Sequence, residues 1–254
     1  MVRVTRHEQW LEIVLDRPEK GNALTLPMLD AIGHAAEGVA RDRDVRAVVL
    51  RGAGERFFCT GGDIEAWGNL SALDMGRAWI LAGIDVFERL AALPQPVVAA
   101  LNGHALGGGL ELALAADLRL AVAGAKLGTP EVSLGMIPGW GGVGRLADVV
   151  GPARAAHLTL LATPITAAQA LDWGLVTAVA PDHDALSRQC DAWIERLCAN
   201  GPAAMALVKG LLSASRRDLR HHHAAAAAQA SATGDCREGV RAFVEKRKPL
   251  FHNR

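Results

Sequence analysis

Apolar and polar residues alternate with a period of two over VRVTRHEQWLEIVLDRP, which predicts a hairpin of two strands ended by the Asp16-Arg17-Pro18 turn. The period then lengthens. Met28, Leu29, Ile32, Ala35, Ala36 and Val39 recur at helical spacing behind Thr25 as N-cap and Pro27 in the first turn. The β-branched run from Val45 to Leu50 predicts a strand, GAGERFFCTGGD a loop, and Ser71 to about Leu93 a helix that Pro94 and Pro96 stop. Val97 to Leu101 predicts the next strand, which leads through GHALGGG into a helix carrying Glu111.

Leu118 to Val122 and Lys126 to Gly128 are short strand candidates, and TPEVSLGMIPGWGG reads as a loop because of its prolines and glycines. Beyond it, helices are predicted near 142–150, 152–161, 167–173, 183–199, 202–219 and 221–246, the last broken near Gly234. One short strand, Leu175 to Val179, interrupts them. A β-rich part thus precedes an α-rich tail. No repeat of fixed period and no polar or Pro-rich linker divides the chain, so one α/β domain is expected, with a core over 1–200 and a helical region over 201–254.

Composition narrows the classes of function. Half of the 254 residues are apolar, enough for a large core. Lys+Arg and Asp+Glu balance at 27 each, which gives no general electrostatic reason to bind a nucleic-acid backbone or an anionic membrane and favours a small-molecule or protein ligand. MVRVTRHEQW has neither a secretory nor a transit pattern, and no apolar run reaches the ~20 residues of a membrane span, so a soluble cytoplasmic protein is expected. Cys59, Cys190, Cys198 and Cys236 form no CxxC pair and no zinc spacing; reduced, structural thiols are expected, and no metal.

Two glycine patterns invite a nucleotide reading and fail it. Gly52-Ala53-Gly54 follows a strand but leads into Glu55-Arg56-Phe57-Phe58 with no third glycine. Gly139-Trp140-Gly141-Gly142-Val143-Gly144 matches GxGxxG, yet Ile137-Pro138 precedes it and no acidic residue follows about 20 positions on. His221, His222 and His223 are consecutive, and consecutive helical residues do not share a face, so they read as a solvated basic helix end beside Arg216, Arg217 and Arg220. GxSxG is absent, and Ser133 lies in a loop with no nucleophile signature.

The carboxylates carry more information. Glu111 near a helix start is explained by the helix dipole alone. Its neighbours Leu110, Leu112, Ala113, Leu114, Ala115 and Ala116 leave almost no polar face, and a carboxylate buried there must be paired or have a raised pKa, as a general acid or base does. Glu131 is either a surface loop glutamate or a second carboxylate on the same pocket. The glycine-rich turns CTGGDI at 59–64 and HALGGGLE at 104–111 each follow a predicted strand. They are ordinary tight turns, or they let backbone N–H groups approach one carbonyl oxygen as an oxyanion hole.

In combination and in order, DRPEKGNALT (16–25), FFCTGGDI, VVAALNGHALGGGLELALAADLRLA, LGTPEVSLGMIPGWGG and DCREGVRAFVEKRKPLF resemble the enoyl-CoA hydratase/isomerase (crotonase) superfamily, closest to enoyl-CoA hydratase. The resemblance covers nearly the whole chain. It implies a spiral of repeated strand-strand-helix units, C-terminal helices used in trimerisation, commonly a dimer of trimers, and an acyl-CoA thioester ligand with no separate cofactor.

Carried over residue by residue, the oxyanion-hole N–H groups fall on Gly62 and Gly108, the two hydratase glutamates on Glu111 and Glu131, and the backbone that helps position water on Gly139. The working assignment gives protonation of C2 to Glu131 and positioning and activation of the water to Glu111, although sequence alone does not separate the two roles. CoA contacts fall on Lys20, Ala23 and Leu24, on Thr60, Gly62, Asp63 and Ile64, and on Gly108, with Phe243 and Lys246 closing the site. Retention of both glutamates favours hydration over double-bond isomerisation or a specialised dehydration. Trp67, Trp79 and Trp140 either shorten the acyl pocket or belong to the core. RNA binding, seen in some family members, would rest here on the basic run SRRDLRHHH at 215–223 alone.

Overall fold

The computed structural model describes residues 1–213, 227–228 and 231–249. The expected hairpin is present as β1 (Val2–Arg6) and β2 (Trp10–Leu15), paired antiparallel, and α1 (Leu26–Arg41) follows. Thr25 occupies the N-cap position with extended backbone, but its side chain makes no capping bond. Next come β3 (Ala47–Gly52), β4 (Phe57–Cys59), α2 (Ile64–Trp67), α3 (Ala72–Asp74), a π-helical segment (Met75–Ile80) and α4 (Leu81–Ala91). The helix expected from Ser71 to Leu93 is therefore three successive segments. Ser71 caps its start by accepting from the Asp74 N–H.

β5 (Val97–Leu101), β6 (His104–Leu106), α5 (Gly108–Leu114), β7 (Leu118–Val122) and β8 (Lys126–Gly128) complete the core. α6 (Gly142–Val150), α7 (Pro152–Leu160), β9 (Ile165–Thr166), α8 (Ala167–Asp172), β10 (Ala178–Ala180), α9 (His183–Ala199) and α10 (Pro202–Ser213) follow. The strands expected at 45–50 and 175–179 are displaced by two or three residues toward the C-terminus. Strands β4, β6 and β9 were not expected: β4 and β6 lie in the glycine-rich segments GAGERFFCTGGD and GHALGGG, which read as turns, and β9 has only two residues, too few to display an alternating pattern. The expected loop at 129–142 contains a 3₁₀ turn, Pro130–Leu134. The expected break near Gly234 is the start of a helix, Gly234–Val244, capped by the Thr233 side chain. Residues 214–226, with His221, His222, His223 and the whole of the basic run, lie outside the described residues.

Two sheets organise the spiral. One has the order β1-β2-β3-β5-β7-β10, parallel from β2 onward; the other has the order β4-β6-β8-β9, parallel across its first three strands. Each pass of the chain leaves one strand in the first sheet and the next in the second. The crossovers stack β3, β5 and β7 side by side, and β4, β6 and β8 likewise, so the segments after β4, β6 and β8 emerge together at one edge.

Burial follows this arrangement. Leu11, Ile13, Val48, Leu50, Val97 and Ala99 face the main core, whereas Ala47, Val49, Val98, Ala100 and Leu120 face α9 through Leu186, Cys190 and Ile194. A sheet buried on both faces reads as continuous apolar runs, which is why VVAAL shows no alternation. Ala227 and Cys236 join the same main core, so the described part of the helical tail is packed into the domain.

Candidate active site

Three chain segments leave the ends of β4, β6 and β8 side by side. After β4 comes Thr60-Gly61-Gly62, after β6 Gly107-Gly108-Gly109, and after β8 Thr129-Pro130-Glu131. The Gly107 N–H donates to the Gly128 carbonyl at 2.9 Å, tying the second turn to the third. Gly61 lies against Gly108, where a Cβ would stand 3.1 Å from the Gly108 nitrogen. Gly108 opens α5, so its N–H is one of the helix's unpaired donors. Among the described residues neither the Gly62 nor the Gly108 N–H has an acceptor.

Glu111 lies in the first turn of α5 and is 1% exposed. Its Oε1 accepts from the Trp140 N–H at 2.9 Å and the Gly142 N–H at 2.7 Å. Gly142 begins α6, and Gly141 before it turns the chain with φ of 84°. The carboxylate therefore sits at the N-terminus of a second helix as well as in the first turn of its own, an anion position that backbone donors create. Burial pushes its pKa up, and the bonds from Gly142 and Trp140, with the Arg145 charge, oppose that rise.

Glu131 reaches the same place from the 3₁₀ turn. A Cβ on Gly107 would stand 2.8 Å from its Oε1, and its Oε2 is buried with no hydrogen-bond partner. Burial raises its pKa, and the nearby Glu111 charge raises it further. Glu111, Glu131, Gly62, Gly108, Gly139 and Trp140 all line one cavity of about 50 Å³. Glu131 is thus a pocket residue, and the alternative of a surface loop glutamate is set aside. The Trp140 and Gly142 donors escaped sequence reasoning; the glycine pattern GWGG was their only trace.

Whole-chain comparisons place the chain in a family. The family model for enoyl-CoA hydratase/isomerase matches residues 5–254. The chain belongs to the enoyl-CoA hydratase/isomerase family. It is 37% identical to a putative enoyl-CoA hydratase/isomerase of Bacillus subtilis, covering 97% of this chain and 95% of that protein. It is 35% identical to a short-chain-enoyl-CoA hydratase of Clostridium acetobutylicum, covering 93% and 91%. The crystal structure of an enoyl-CoA hydratase from Bacillus anthracis matches with a TM-score of 0.81 at 34% identity, over 100% of this chain and 99% of that one. The spiral of this enzyme is the crotonase fold.

Within this member of the enoyl-CoA hydratase/isomerase family, the two loops expected to meet CoA are joined by backbone bonds. The Leu24 N–H donates to Gly61 and the Asp63 N–H to Leu24, both at 2.8 Å, and the Thr60 N–H donates to Gly21 at 3.0 Å. Ala23 and Leu24 are buried, Thr60 and Ile64 are half-buried, and Lys20 is exposed, paired with Glu65 at 2.9 Å. The Asp63 carboxylate is committed within the protein: it caps α2 through the Glu65 N–H and pairs with Arg17. Phe243 and Lys246 lie exposed at the end of the Gly234–Val244 helix and do not line the cavity. Ser133 donates to the Pro130 carbonyl, a turn role. Among the described residues no cluster of three His, Cys, Asp or Glu could hold a metal, and no helix is long and apolar enough to cross a membrane.

Proposed function

We propose that the protein is an enoyl-CoA hydratase, adding water across the 2,3 double bond of a 2-enoyl-CoA to give a 3-hydroxyacyl-CoA. The observation that carries this reading is the meeting, in one cavity, of two buried carboxyls and two unpaired glycine N–H groups. Addition of water develops an enolate on the thioester oxygen, and the Gly62 and Gly108 N–H groups would donate to it. Glu111, whose anion is stabilised by two backbone donors, takes the proton from water as the oxygen bonds to C3. Glu131, without such donors on Oε2 and facing the Glu111 charge, holds the proton that passes to C2. The pair then re-equilibrates the one proton left on Glu111. The Gly139 backbone lines the same cavity and helps seat the water.

The Lys20 to Leu24 turn and the Thr60 to Ile64 loop would hold the CoA moiety, with the backbone of the joined loops supplying donors and acceptors. Phe243 and Lys246 would close the site only from another protomer or after movement of their helix. The names of the relatives from Bacillus subtilis and Clostridium acetobutylicum support the same substrate class.

Loss of enoyl-thioester absorbance with crotonyl-CoA tests the reading. Glu111→Gln and Glu131→Gln keep side-chain size, and each is expected to lose at least about 10²–10⁴ in kcat while still binding butyryl-CoA. A native protein that binds acyl-CoA and hydrates neither crotonyl-CoA nor a longer enoyl-CoA would refute it.

A further inference from the structure

The cavity beside the two carboxyls is small, and the Trp140 indole is one of its walls, together with Trp67, Trp79, Ile80 and Met136. Trp140 is 3% exposed, and its indole packs against Gly62 and Gly108, two of the glycines that line the cavity. A Cβ on Gly108 would stand 2.4 Å from its Cζ3, and one on Gly62 3.2 Å from its Cη2. Its other edge enters α4 at Gly83, where a Cβ would stand 2.3 Å from Cδ1. Only a residue without a side chain leaves that socket open.

The ring is also held in orientation. Its Nε1 donates to the Trp79 carbonyl at 3.2 Å, and Trp79 belongs to the π-helical segment Met75–Ile80, a local geometry that recurs at functional sites. The Phe87 ring meets it edge-on at 5.5 Å, and the Trp79 ring lies 5.5 Å away. Moving the indole would break the hydrogen bond and forfeit both aromatic contacts, so it is a fixed wall. The wall is in register with the chemistry, because the backbone N–H of the same residue holds Glu111.

We infer that Trp140 sets the length of the acyl group, its indole closing the cavity so that the enzyme takes 2-enoyl groups of about four carbons and excludes long chains. This rests on the reading of the cavity as the acyl site. A water-sized group occupies roughly 10–15 Å³ by the measure that gives this cavity about 50 Å³, leaving space for about three to five such groups. A thioester carbonyl at Gly62 and Gly108, with three carbons beyond it, fills that space.

The test pairs kinetics with binding. Hydration of 2-enoyl-CoA thioesters of four, six and ten carbons is measured for the native protein, Trp140→Ala and Trp140→Phe. Calorimetric binding of the saturated acyl-CoA esters of the same lengths needs no chemistry. The native protein is expected to bind butyryl-CoA better than decanoyl-CoA and to show the same order in kcat/KM. In Trp140→Ala each methylene newly accommodated is expected to tighten binding by roughly fourfold, reversing that order. Trp140→Phe, which keeps an aromatic ring against Phe87, shifts it in the same direction by less and decides the matter if the alanine variant does not fold.

Native binding and turnover that rise with chain length would overturn the inference, as would folded variants with an unchanged length profile. Length-selective binding with no hydration of any ester would support the wall and refute the hydratase reading, so the two failures are distinguishable.

Discussion

Glu111 and Glu131 are the same residue type in one cavity, yet their oxygens meet different partners. Two backbone donors reach Glu111, while Glu131 keeps an unpartnered oxygen against the Glu111 charge. Both carboxyls are raised above their ordinary 4.5 chiefly by burial, so the folded state holds protons that the unfolded chain releases. Each raised pKa therefore withdraws stability as pH rises above about 4.5, until the folded carboxyl has also ionised; below that range the two states bind protons equally. Glu131→Gln is expected to be more heat-stable than the native protein at pH 8 and to lose that advantage at pH 4, while being inactive at both. Thermal melts across pH check this, and a Gln variant that is less stable at pH 8 would contradict it. Activity is expected to follow a bell in pH, since the reaction needs one carboxyl charged and the other protonated.

At the scale of single elements, α5 shows how a short helix is held in a core. Its N-terminal turn carries the catalytic candidates, and its other end is held by Arg119 of β7, 8% exposed. That guanidinium donates to the Ala116 carbonyl at 2.7 Å and to Leu175 at 2.8 Å, placing positive charge at the helix C-terminus. Arg119→Met is expected to cost about 3 kcal/mol, because buried carbonyls that lose their donor cost ~1–3 kcal/mol each. Denaturant unfolding measures it. Arg119→Lys should recover only part, an ammonium being unable to reproduce the fork. This role was not legible beforehand: in LRLAV, Arg119 reads as the polar position of a strand, and its acceptors Ala116 and Leu175 lie just past the ends of α5 and α8. The long helices were legible, because apolar spacing over ten or more residues is a local signal, whereas β4, β6 and β9 exist only through neighbours supplied by the rest of the chain.

For the molecule as a whole, α10 presents Leu207 and Leu212, each at least 70% exposed, beside Val208. We propose that the helical region 201–254 assembles the protein into trimers or dimers of trimers, burying this apolar stripe. Light scattering is expected to show such an assembly for the native protein and a smaller species for Leu207→Glu combined with Leu212→Glu. A native monomer would overturn the proposal.

The sequence by itself determined the local vocabulary: the opening hairpin, α1, the apolar strands, the two glycine turns, and one glutamate, Glu111, set among residues that could not solvate it. Ordered motifs over nearly the whole chain also pointed to the family. Those features are legible because each depends on residues close together along the chain. Only the tertiary structure decided that the ends of β4, β6 and β8 share one edge, that Glu111 is held by the start of α6, and that the Trp140 indole rests on Gly62, Gly83 and Gly108. These contacts join segments about 30 to 80 residues apart, and they follow from parallel strands that require crossovers to become neighbours.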